Sequence, residues 1–225
     1  MQPPANEPQV LLDKAIAAAG GANALAAATT IEWTARGTAY TSGSAEAIEG
    51  RWLLQPPDAA EVTTWAPGQP AGSGQRIVIS GANGWTERNG VRTPLPAAAV
   101  AHERDQLYVF SLMRLLPLRD PEMELSMVSP RTLLVRHPRR PDVEAVFGDD
   151  DRLTALRTTI SHPEDNSDIV HEVRVGGIIS GGGITWPRTI RVTHDGKPAL
   201  DLEVTSLTLR TLSKPTGERE KGRKR

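Results

Sequence analysis

The sequence contains no cysteine, which removes disulfides, thiolate nucleophiles and Cys-ligated zinc at once. Aromatic side chains are scarce, nine in 225 residues, and five of the nine are tryptophan. The tryptophans therefore mark the places where large side chains are needed. Charge of one sign is not in excess: the formal net charge is −1, which argues against nucleic acid as a partner. No apolar run nears the roughly 20 residues that cross a bilayer as a helix. The phosphate-cradling G-x-x-x-x-G-K-[ST] and the nucleophile elbow G-x-S-x-G are both missing, so neither a P-loop nor a hydrolase of that type is indicated.

What is present is a β-rich pattern. Val10 to Ala19 repeats its apolar residues at helical spacing, and Gly20-Gly21 stops that helix. Ala22 to Ala28 resumes as a second short helix. From Ile31 the period becomes 2, with Ile31, Trp33 and Ala35 alternating with Glu32, Thr34 and Arg36. Strands follow at Ile48 to Leu54, Ala59 to Trp65, Gln75 to Ser80 and Trp85 to Arg88, separated by Ser42-Gly43-Ser44, Pro56-Pro57-Asp58, the loop Pro67 to Gly74 and the turn Gly81 to Gly84. The pattern breaks at Pro94. Pro96 to Leu116 is the main helical segment, apolar nearly all round in its second half, and Pro117 and Pro121 end it.

Seven further strands are expected: Met123 to Val128, Thr132 to Arg136, Val143 to Phe147, Leu153 to Ile160, Ile169 to Ile179, Ile184 to Thr193 and Leu200 to Leu209. Asp195-Gly196 between two of them is the clearest hairpin signal. In the last strand Leu200, Leu202 and Val204 share one phase while Leu207 and Leu209 have the other, which a bulge near Ser206 would explain. The fold class is α+β, mainly antiparallel β, in one domain over residues 10–210. It is preceded by an extended lead (1–9) and followed by a disordered basic tail (211–225).

Catalytic and metal chemistry finds little footing. His102, His137, His162, His171 and His194 have no ligand-like spacing; His171 shares the phase of Ile169, Val173 and Val175, as a core histidine would. Asp149-Asp150-Asp151 lacks the alternating ligands and later glutamate of a calcium loop and reads as an acidic turn. Glu61, Glu87, Glu122 and Glu124 carry no signal that would pair two of them as acid and base. The reading is of a protein that is not an enzyme, with no cofactor and no metal. The apolar set remains: a sheet of this size either packs a large core or encloses space for an apolar ligand.

The order of these elements resembles a known family. "LLDKAIAAAGGANALAAATT" before a strand with an aromatic and a glycine, "SGANGWTERNGVRTPL" before a helical insert, and "GGGITWPRTIRVTHDGKPALDLEVTSLTL" at the end together resemble LolA-like envelope domains over Val10 to Leu209. The resemblance implies a half-open β-barrel of about eleven strands, closed by a small helical lid over an apolar cavity. It implies a periplasmic carrier of a lipid, a lipoprotein acyl chain or another apolar ligand, with an export signal removed. The alternative within the family is an envelope sensor or interaction module that binds a partner protein over a self-filled core. Trp33, Trp52, Trp65 and Trp186 on the barrel, with Leu107, Phe110, Met113 and Leu116 on the lid, would line the ligand site. The carriers' lid-latching arginine would be Arg36 or Arg51. No integral membrane segment is expected, and a monomer is favoured.

Overall fold

The computed structural model describes residues 7–41, 43–55 and 59–210. Most of the N-terminal lead, the Pro56-Pro57-Asp58 turn and the basic tail lie outside the described residues.

The first helix, α1 (Glu7–Ala18), starts three residues earlier than its apolar periodicity indicates. Pro8 is compatible with that, because the first helical turn has backbone N–H groups without intrahelical partners and loses nothing by lacking one. Gly20 and Gly21 both have positive φ, and the chain turns there into α2 (Ala22–Ala27). Six strands follow: β1 (Thr30–Thr41), β2 (Ser44–Gln55), β3 (Ala59–Trp65), β4 (Gln75–Ser80), β5 (Asn83–Arg88) and β6 (Val91–Pro94). Helix α3 (Ala97–Leu112) and a single 3-10 turn (Leu116–Arg119) interrupt the sheet. The chain then continues through β7 (Glu124–Ser129), β8 (Thr132–His137), β9 (Arg140–Phe147), β10 (Leu153–Ser161), β11 (Asp168–Gly176), β12 (Ile179–Gly181), β13 (Ile184–Trp186), β14 (Thr189–His194) and β15 (Lys197–Arg210).

Thirteen strands form one antiparallel sheet in the order β6-β5-β4-β3-β2-β1-β15-β14-β11-β10-β9-β8-β7, and β12 and β13 form a separate hairpin. The two free edges, β6 and β7, are consecutive in the chain, so the segment joining them must pass from one side of the sheet to the other. That segment contains α3, which touches β4 and β5 on one arm and β9, β10 and β11 on the other. A sheet left open at one seam, with a helix crossing the gap, is the half-open barrel with a helical lid that the sequence implies.

Three details differ from the expected strands. Ile169 to Ile179 is not continuous, because Gly177 turns the chain with a φ of 59°. Ile184 to Thr193 is also split, at Pro187, which has no N–H to give to a ladder. Leu116 lies beyond the end of α3, since Leu115 at φ 63° breaks the helix. The expected bulge is present. Thr34 faces Ser206 but Ala35 faces Val204, leaving Thr205 as the extra residue. It keeps Leu207 and Leu209 on the core side after Leu202 and Val204, where they cover the β12–β13 hairpin at Gly181 and Gly182.

Candidate functional site

The inner face of the sheet gathers aromatics from four elements distant in sequence. Trp33 of β1 pairs across the strands with Trp52 of β2, and their rings stack with centroids 6.2 Å apart. Trp186 of β13 approaches Trp33 to 5.4 Å and Phe110 of α3 to 6.4 Å. All four are buried. Gly50 makes room for this cluster: a Cβ there would stand 2.7 Å from the Trp52 ring. Met113 is buried beside them, while Leu107 and Leu116 are half-buried against the same core.

Of the eight sequence-predicted ligand residues, seven thus belong to one contiguous region under the lid. Trp65 does not. It faces Glu49 across β2 and β3 and donates its indole N–H to that carboxylate at 3.0 Å, on the opposite face from Trp52. Period 2 along each strand could not reveal this, because the phase between β2 and β3 depends on the turn that joins them.

In the closed form the space under the lid is filled. Ala15, Ala19, Met113, Leu115, Leu153, Val175 and Trp186 enclose a crevice of about 50 Å³, against the roughly 300–1,000 Å³ of an ordinary ligand cavity. Yet the filling is imperfect in its polar groups. The indole N–H groups of Trp33 and Trp186 are buried without partners, although tryptophan N–H groups in cores ordinarily find one.

The seat of α3 is stranger still. Burial pushes the Glu103 carboxyl above its ordinary range, and no hydrogen bond or ion pair reaches it among the described residues. Arg104 keeps a buried Nε without an acceptor. Burial also raises Asp105, against the pull of Arg140 and Arg104, and pushes the Tyr108 phenol up to about 12. Desolvating such groups costs free energy that only good partners recover.

Neither expected latch arginine touches the lid. Arg36 pairs with Glu203 at 2.8 Å and Arg51 with Glu61 at 2.9 Å, both on the outer face. Even residue numbers in β1 and odd ones in β2 point outward, the reverse of Trp33 and Trp52. The arginine that ties the lid down is Arg114, just past α3. It is buried, donates to the Ala28 carbonyl at the end of α2, and has its charge disfavoured by burial.

Three histidines meet at the other end of the lid. His171 and His194 face each other across β11 and β14, with Nδ1 of the first 3.0 Å from Nε2 of the second. His102 of α3 stands edge-on to His194 and bonds the Ser161 carbonyl oxygen through Nδ1 at 2.8 Å. Burial, then the neighbouring His194 and His102, lower His171 to about 3. Among the described residues no group of three His, Asp or Glu side chains is arranged to hold a metal ion, and no helix is long and apolar enough to cross a membrane.

No family model matches the sequence, and no curated protein does. Solved structures do. A LolA superfamily protein from Nitrosomonas europaea covers 92% of this chain and 94% of its own at 12% identity, with a TM-score of 0.48. A DUF1329 family protein from Desulfovibrio piger covers 90% of this chain and 93% of its own at 8% identity, with a TM-score of 0.53. The fold is LolA-like. At such identities the likeness is one of fold alone, and the ligand must be argued from the LolA-like chain's own residues.

Proposed function

We propose that this protein is a non-enzymatic carrier or binding protein of the cell envelope that holds an apolar or acylated ligand between the sheet and α3. The observation that carries the reading is the mismatch at the lid. An aromatic cluster built from β1, β2, β13 and α3 lies beneath a helix whose Glu103 and Arg104 are buried without adequate partners. A helix meant to stay shut would gain from apolar residues at those positions. Lifting α3 returns the charges to water and opens an apolar surface below. An acyl chain would bury area there at about 25 cal/mol per Å² without needing directional contacts. The unpartnered N–H groups of Trp33 and Trp186 would suit an ester or amide carbonyl at the head of such a chain.

The periplasm is the compartment this proposal requires, since acylated cargo crosses an aqueous space there. A second reading, a sensor or interaction module that binds a partner protein over a self-filled core, is favoured by the smallness of the 50 Å³ crevice. Native mass spectrometry and solvent extraction of the protein purified from an envelope fraction separate the two. The carrier reading expects an acyl-bearing adduct and a gain in N-phenylnaphthylamine emission on mixing. A protein with neither, which instead retains an envelope protein on pull-down, would support the second reading.

A further inference from the structure

We infer that the outer face of the sheet carries a second, separate site, for a neutral carbohydrate. Thr34, Arg51, Thr63, Arg76 and Glu87 are consecutive partners across β1, β2, β3, β4 and β5, so they form one polar row running across five strands. The β3–β4 loop and the β5–β6 turn rise beside this row. Together they enclose a cavity of about 590 Å³, into which Glu61 and Trp65 also face. This is the volume of an ordinary small-molecule site, more than ten times that of the crevice under the lid.

The chemistry selects the ligand. Glu61 accepts from Arg51 at 2.9 Å and from Arg76 at 2.6 Å, and the Arg76 hydrogen bond leads the causes that hold its carboxyl below the usual range. Two guanidinium groups and the carboxylates of Glu61 and Glu87 leave the cavity without net charge, so it offers no field to attract an anion or a cation. It offers instead many donors and acceptors around an aromatic wall. The Trp65 indole is fixed by its bond to Glu49, and a pyranose ring could lay its apolar face on it while its hydroxyls meet the arginine and glutamate rim.

Two polar groups are left over. Thr63 is 7% exposed, and its hydroxyl has no partner; neither has the buried Nε of Arg76. Both lie in the row that floors the cavity. Buried donors and acceptors are rarely left unmade without a reason, and a ligand hydroxyl would complete them. The site stands on the face opposite the aromatic cluster, so it does not depend on the carrier reading.

The test uses the full chain with maltotriose, cellotriose and tri-N-acetylchitotriose, followed by saturation-transfer NMR and calorimetric titration. At least one trisaccharide is expected to bind. Trp65→Ala should weaken it at least tenfold, judged from an aromatic wall worth about 1 kcal/mol or more. Thr63→Val, nearly isosteric, should weaken it about threefold to tenfold while leaving the thermal midpoint unchanged or higher. Circular dichroism checks that both variants fold. The inference is overturned if none of the three sugars receives saturation, if binding survives Trp65→Ala undiminished, or if glucuronate or inorganic phosphate binds where the neutral sugars do not.

Discussion

Acid should weaken this fold through one residue, His171. Its side chain is fully buried, its Nδ1 shares a single proton with Nε2 of His194, and its own Nε2 has no partner. His194, His102, His162 and Asp195 are the titratable groups around the pair. The folded form holds His171 neutral down to about pH 3, whereas the unfolded chain protonates it near 6.5. Between those values the unfolded state binds the extra proton, so stability is full above pH 6.5 and falls as the pH drops. Each pH unit costs about 1.4 kcal/mol, or about 2 kcal/mol by pH 5. His194, lowered first by burial, adds in the same direction. Glu103 and Asp105, raised by burial, act in the opposite direction, because the folded form takes up their protons first. Urea unfolding at pH 7, 6 and 5, read by tryptophan emission, should show the loss in the wild type and a shallower slope in His171→Gln. Equal slopes in the two proteins would refute the reasoning, whatever their absolute stabilities.

Other outcomes follow from the packing. Gly50→Ala drives a methyl group into the Trp52 ring and should cost about 1–3 kcal/mol, seen as a lower unfolding midpoint and altered near-ultraviolet dichroism. Arg114→Ala strands the Ala28 carbonyl and should destabilise by about 1–3 kcal/mol; on the carrier reading it also speeds N-phenylnaphthylamine uptake in stopped flow. Asp195→Ala removes a carboxylate that accepts from the Val170 N–H at 2.9 Å in a residue at φ 50°. It should lower the denaturant midpoint by an amount worth about 1–2 kcal/mol.

Much of the architecture is legible in the sequence because each strand carries its own period and each turn its own chemistry. Asp195-Gly196 adopts positive φ at both residues, as the dipeptide indicates, and the phase change in β15 marks the bulge at Thr205. The burial of His171 is equally readable from its phase. Relations between strands are harder. Nothing local says that Trp65 faces away from Trp52, that Arg36 and Arg51 point outward, or that three histidines spaced 69 and 23 residues apart converge. Those facts live in the register of the sheet. The polar row across β1 to β5 is invisible for the same reason: its members are scattered in sequence and become neighbours only when five strands pair.

The central claim is that α3 lifts to admit an acyl chain onto the Trp33–Trp52–Trp186 cluster. A Cβ at Gly84 would lie 3.1 Å from the Val100 side chain, and the chain has no native cysteine, so Gly84→Cys with Val100→Cys supplies a reversible lock between β5 and α3. The decisive measurement is quenching of tryptophan emission by dibromostearate in this double variant, oxidised and then reduced. The account predicts strong quenching in the reduced form and in the wild type, and its loss when the disulfide closes. Emission unaffected by dibromostearate in every form, or quenched equally with the lock closed, would contradict it.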